Sequence, residues 1–195
     1  MGIPTKKSQD LRVRRTQKWL QDALLQLMRE KPFQTLQIKE IADRAQVSRP
    51  TFYLHYQTKE ELLLSLVDQV FTEFFNDLVK DSARGNYSKQ ALCVQLFVYW
   101  QRHEDLLTLI VRAEIQNEII KRLGVYLKQM LLFIKAQTGK PVADGDALDL
   151  MVGFMSAGVY SLLTQWGLHQ LPYTPEQMGL FLHQMTIGHD DVTIS

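Results

Sequence analysis

A single cysteine, Cys93, stands in the 195 residues, so the chain can close no disulfide on itself and a cytoplasmic setting is expected. In its apolar stretch Cys93 reads as a small buried hydrophobe rather than a reactive thiol. Long hydrophobic runs are missing too. The longest candidate, Leu150 to Leu163, is interrupted by glycine and serine and falls short of the ~20 residues of a membrane span, so no membrane partner is expected. The start, Met1 to Asp10, is short and polar without an apolar core, which reads as no signal peptide. Also missing are a nucleophile elbow, a glycine-rich phosphate loop, HExxH and CxxC. His169, His183 and His189 are spaced too irregularly for a metal pair, and the Asp190-Asp191 tail reads as solvated. No catalytic residue, metal or cofactor is therefore expected, and the chain is not read as an enzyme.

Net charge is nearly absent, at +1, but its distribution is uneven. Residues 1–60 hold twelve Lys/Arg against six Asp/Glu, and the remainder holds ten against fifteen. A basic front on an acidic back suggests that the front alone meets a polyanion. A non-specific nucleoid-type binder would lean on a larger positive charge. Hydrophobic residues at 46% and charged residues at 22% are ordinary for a folded domain.

What is present is helical periodicity with clear punctuation, and the fold class is all-α. Leu20, Ala23, Leu24, Leu27 and Met28 mark one helical face, closed by Pro32. Short helices follow at Ile38–Ala45 and after Ser48, a natural N-cap. Thr58 to Glu61 forms a capping box before a long fourth helix to about Lys80. Asp81 to Ser88, with Arg84-Gly85-Asn86, reads as a boundary loop. Further helices are predicted at Lys89–Arg102, Asp105–Arg112 and Glu114–Gln137, the last closed by Gly139-Lys140-Pro141. An eighth, capped by Asp146, runs to Trp166, and Thr174-Pro175-Glu176-Gln177 opens a ninth to Thr186.

The pair of short helices around Gln46-Val47-Ser48 carries the functional signal. Ile38, Ile41, Ala42 and Ala45 give one apolar face, and Phe52 and Tyr56 give the other. Arg49, Pro50, Thr51, Tyr53 and His55 are left for the outer side, where a helix-turn-helix reads base edges. Arg49 suits guanine O6 and N7, and Thr51 suits a hydroxyl bond or a thymine methyl. Tyr53, His55 and Lys59 are donors placed to follow a phosphate strand. The basic segment Lys6 to Arg15 could lie along phosphates, reach the minor groove, or remain a solvated arm.

The stretch Ile38-Lys39-Glu40-Ile41-Ala42, then Ala45-Gln46-Val47-Ser48-Arg49-Pro50-Thr51-Phe52-Tyr53-Leu54-His55-Tyr56, then Lys59-Glu60-Glu61-Leu62, resembles the signature of the TetR family of transcriptional regulators. The chain departs from that pattern at Gln37, where Ser or Thr usually caps the second helix and meets a phosphate. Gln46 stands where glycine is common, and Pro50 replaces a residue that is often glycine or lysine. The resemblance implies a DNA-binding domain over residues 1–62 and a ligand-binding and dimerisation domain over 63–195. DNA contacts are then expected from Gln37, Ser48, Arg49, Pro50, Thr51, Tyr53, His55 and Lys59.

Gly153, Ala157, Gly158 and Ser161 would allow close helix approach, within the chain or between copies. The resemblance favours a homodimer through about 146–168 and 175–186, and two-fold symmetry then asks for a palindromic double-stranded operator. It also implies repression relieved by a small-molecule effector. Trp100, His103, Tyr126, Met130, Phe133, Met151, Met155 and Trp166 are bulky or adaptable residues suited to such a pocket, though each taken singly fits a plain core better.

Overall fold

The computed structural model describes residues 6–83, 88–139, 142–169 and 171–186, and within them the secondary structure is helical. The Arg84-Gly85-Asn86 loop, Lys140-Pro141, His189 and Asp190-Asp191 lie outside the described residues. The helices are α1 (Lys6–Glu30), α2 (Ile38–Arg44), α3 (Arg49–Tyr53), α4 (Lys59–Ala83), α5 (Lys89–Arg102), α6 (Glu104–Arg112), α7 (Gln116–Thr138), α8 (Gly145–Leu168) and α9 (Pro175–Thr186).

Most boundaries fall where the punctuation puts them, and the exceptions have local causes. The basic segment Lys6 to Arg15, for which a solvated arm was one of three readings, is the start of α1: nothing in it breaks a helix, and Thr16 Oγ1 donates to the Arg12 carbonyl at 3.0 Å. Pro32 ends that helix and leads into a short 3-10 turn at Phe33–Thr35, which buries Phe33. Helix α7 begins at Gln116 rather than Glu114, because Glu114 has φ +56°, outside the right-handed helical region. Asp144, not Asp146, is the N-cap of α8. By length and composition that helix could cross a membrane, at mean hydropathy 1.4, yet its Leu148, Met151, Val152, Val159 and Leu163 are buried within the protein.

The chain divides into two units. The first reaches Val67 and takes in Leu109–Ile115; the second holds Asp68–Thr108 and the chain from Gln116 onward. The sequence reading put this boundary at 62/63. The difference arises inside α4, whose apolar pattern is unbroken: Leu62, Leu63, Leu66 and Val67 are buried residues of the first unit, and Val70, Phe71, Phe74 and Leu78 of the second. The segment 109–115 joins the first unit through non-local packing that no turn residue announces. Gln34 Nε2, for example, donates to the Arg112 carbonyl at 3.3 Å.

In the first unit α1 packs on α2 and α2 on α3; in the second α5 packs on α9 and α7 on α8. Gly179 makes the α5–α9 approach feasible, because a Cβ there would lie 2.4 Å from Val94 Cα. Helix α2 stops in a Schellman turn: Val47 N–H donates to the Ala42 carbonyl at 2.9 Å and Gln46 N–H to the Asp43 carbonyl at 3.1 Å. That turn holds Gln46 at φ +56°, a position glycine fills without strain. Gln46→Gly is expected to stabilise the chain by ~1 kcal/mol, because relief of left-handed strain outweighs glycine's extra freedom in the unfolded chain. Urea melts of the two proteins check this. A lower midpoint for the glycine variant would mean that the glutamine side chain supplies a contact worth more than the strain.

Candidate nucleic-acid interface and internal cavity

Helix α3 has five residues and is held from both ends. Ser48, in extended geometry, caps it: its Oγ accepts from Thr51 N–H at 3.2 Å and bonds Thr51 Oγ1 at 2.8 Å. Pro50 sits in the first turn, where its missing N–H has no helical partner to lose. Phe52 is fully buried, and Tyr56 follows one turn on at 5% exposure. Burial raises the Tyr56 hydroxyl above its ordinary range, and Ser65 Oγ donates to it at 3.3 Å.

With Phe52 and Tyr56 turned in, the opposite side of α3 faces outward. Arg49, Pro50 and Tyr53 are exposed, while Thr51 and His55 are half-buried on its flanks. The Arg49 guanidinium lies 5.6 Å from the Tyr53 ring centre, with Nη2 donating to the Tyr53 hydroxyl at 3.2 Å. It is thereby held at the head of the helix. Leu54, absent from the residues expected to meet DNA, is the most open of the large apolar side chains here at 81% exposure. Its position between inward Phe52 and Tyr56 was the available signal, and its apolar character hid it. An apolar side chain at that place can meet a thymine methyl.

Two expected contacts sit differently from the rest. Lys59 Nζ donates to the carbonyls of Phe33, Gln34 and Leu36 at 2.8, 3.0 and 2.9 Å, and lies 4.7 Å from the Phe33 ring centre. Three bonds match the three protons of an ammonium, so Lys59 ties the start of α4 to the turn after α1. Gln37 is the exposed N-cap of α2, and its backbone N–H donates to Glu40 Oε2 at 2.9 Å. Glu40 also pairs with Lys31, and Arg44 makes a two-bond pair with Glu30 at 2.7 and 2.8 Å; both fasten α1 to α2. The Lys31 and Arg44 bonds hold the Glu40 and Glu30 carboxyls below their usual range.

The second unit holds a partly open cavity of ≈490 Å³ walled by α4, α5, α7, α8 and α9. Phe71, Phe74, Leu92, Leu96, Leu123 and Val159 give most of its character. Of the residues singled out in the sequence, Tyr126, Met130 and Met155 line it. Tyr126 stacks on Phe71 at 4.8 Å and donates to Asp68 Oδ1 at 3.0 Å, an oxygen that Arg122 also approaches at 3.4 Å. Trp100, Phe133, Met151, Trp166 and His103 lie away from it. Trp100 packs edge-on against Phe71, Phe133 against Phe75 and Trp166 against Phe97. Trp166 Nε1 donates to the Tyr173 carbonyl at 2.9 Å. Met151 is buried in α8, and His103 caps the C-terminal end of α5. Cys93 is on the wall, and burial pushes its thiol up to about 11, so it remains a neutral group.

Residues 20–66 match the family described as bacterial regulatory proteins, tetR family, and residues 87–188 match the one described as transcriptional regulator C-terminal region. The uncharacterized HTH-type transcriptional regulator YuxN of Bacillus subtilis is 25% identical over 96 residues, covering 48% of this chain and 33% of YuxN. The chain thus spans about a third of that relative's length. Among solved structures, the dihydroxyacetone kinase operon activator DhaS superposes with a TM-score of 0.55 at 17% identity, over 92% of this chain and 98% of that one. FadR of Thermus thermophilus, described as a transcriptional repressor in complex with lauroyl-CoA, gives a TM-score of 0.53 at 19% identity, over 92% and 96%. Likeness at those identities shows the shared fold.

Arg49→Ala is expected to cost ~1–3 kcal/mol of DNA affinity and to relax preference at one base position. Fluorescence anisotropy against a panel of single-base variants measures both. Equal weakening on every duplex would make Arg49 a phosphate contact.

Proposed function

The chain belongs to the tetR family of bacterial regulatory proteins, and from that premise we propose that it is a homodimeric repressor, binding a palindromic operator and released by a small-molecule effector. The observation that carries the DNA-reading part is the outward face of α3, with Arg49, Pro50, Tyr53 and Leu54 exposed over a buried Phe52. Ser48, Thr51 and His55 extend that face, and Gln37 and the start of α4 flank it as phosphate-side groups. Lys59 serves there through the backbone it holds. A cytoplasmic setting, where the chromosome is met, goes with this reading.

Dimerisation is supported by α8 and α9, each of which leaves an apolar stripe open. On α8, Leu150 is 64% and Phe154 68% exposed, and Gly153, Ala157, Gly158 and Ser161 continue the stripe at helical spacing. A Cβ added to Gly153 or Gly158 would meet nothing within 4 Å. On α9, Leu180, Phe181 and Met185 are exposed. Small residues beside large apolar ones suit close packing against a second copy, in a two-fold four-helix arrangement.

The effector part is supported by the apolar cavity and by FadR, which holds lauroyl-CoA. For release, the ligand must favour a conformation in which the two reading heads are wrongly spaced. Helix α4 is the proposed lever, since it contributes to both units. DhaS is named an activator, so the sign of regulation is decided by transcription in vitro from the cognate promoter.

Selection of random duplexes by the purified protein is expected to enrich a palindrome with half-sites a whole number of helical turns apart. An asymmetric motif, or none, would overturn the dimeric-operator reading. Phe154→Asp is expected to shift the protein from dimer to monomer in sedimentation analysis and to weaken operator binding at least ten-fold. A dimer that persists in that variant would move the interface away from α8.

A further inference from the structure

The polar groups on the cavity wall are already engaged within the protein. Apart from the Cys93 thiol, which burial keeps protonated, they belong to Ser88, Lys89, Tyr126 and Thr186 among the described residues that line it. Ser88 Oγ caps α5 by accepting from Ala91 N–H at 2.9 Å. Lys89 Nζ donates to the carbonyl of Thr186, the last residue of α9, at 3.0 Å, and Lys89 has a further interaction besides. Thr186 Oγ1 turns back onto its own helix, donating to the carbonyls of Leu182 and His183 at 3.1 and 3.0 Å. The Tyr126 hydroxyl gives its proton to Asp68, so this residue offers the cavity mainly its ring. The rest of the described wall is hydrocarbon, aromatic ring or thioether.

We propose that the cavity binds an uncharged, apolar molecule, held by contact with Phe71, Phe74, Leu92, Leu96, Met130 and Met155 rather than by an ion pair. This deepens the effector reading above and rests on it. A carboxylate, phosphate or sulfonate would give up its hydration on entry, and a wall group could repay it only by releasing the partner it already has. No acidic side chain is among the described lining residues, so a cation meets no counter-charge there. An apolar molecule has no such cost, and it restores the dispersion contacts that the walls forgo when the space is unfilled. The volume of ≈490 Å³ lies within the roughly 300–1,000 Å³ of small-molecule sites, and the two methionines can adapt to the ligand's outline.

The test titrates the full-length protein with two fluorescent probes that share one ring system. N-phenylnaphthylamine is uncharged at neutral pH, and anilinonaphthalenesulfonate adds a single sulfonate to it. The uncharged probe is expected to bind about ten-fold or more tighter than the sulfonate. Met155→Trp and, separately, Cys93→Phe add bulk to the wall, and each is expected to weaken the uncharged probe at least ten-fold, with circular dichroism and thermal melts reporting the fold. The wild-type comparison stands even if both variants fold poorly. Equal or tighter binding of the sulfonate, binding of neither probe, or an affinity unchanged in either folded variant would each overturn the proposal. If the uncharged probe binds with the expected preference but leaves the complex with the selected operator intact, the cavity's chemistry stands and the effector reading fails.

Discussion

A helix of five residues has no stability of its own: nucleating one costs more than so few hydrogen bonds return. Helix α3 exists because Phe52 is fully buried and because both of its ends are fastened. Ser48 caps it, the Schellman turn after α2 aims it, and Tyr56 anchors the chain where it leaves. The remainder of the first unit serves the same end. Two ion pairs fasten α1 to α2, and Lys59 closes three carbonyls of the turn between them. The outward residues Arg49, Tyr53 and Leu54 are therefore presented on a part whose position is set by its neighbours.

Much of this was legible in the sequence, for physical reasons that differ by residue. Pro32, Ser48, Thr58 and Pro175 restrict backbone geometry or satisfy free N–H groups locally, so they mark boundaries whatever the tertiary context. The spacing of Phe52 and Tyr56 separates an inner from an outer side of α3 in the same way. Where the outcome depended on which groups meet across the fold, residue type misdirected. A lysine at a helix start suits a phosphate, yet Lys59 is held by three carbonyls supplied from more than twenty residues earlier. Leu54 is apolar by type, yet at the C-terminal end of α3 it is 81% exposed.

The cavity was the hardest part to read, because periodicity tells inside from outside but not packed from hollow. Trp100 and Trp166 have the size and polarity of ligand-stacking residues, but each is already edge-on to a phenylalanine. Trp166 also gives its N–H to a backbone carbonyl. Tyr126, Met130 and Met155 look no different in the sequence, and they face the void. The distinction is made by five helices meeting, and single-helix patterns do not encode it.

An apolar void of ≈490 Å³ also bears on how occupancy could be felt elsewhere. Side chains lining a space forgo dispersion contacts that a well-fitting ligand restores, so filling it alters the energies of the walls themselves. Five helices form those walls, and α4 alone among them also contributes residues to the first unit. Its Phe71 and Phe74 line the cavity, while Leu62, Leu63 and Leu66, one to three turns earlier, are buried in the unit that carries α3. A continuous helix cannot absorb a shift at one end without some bend or break, and α4 has neither proline nor glycine along its length. The same unbroken helix thus supplies Phe71 and Phe74 to the cavity wall and Leu62, Leu63 and Leu66 to the core of the first unit.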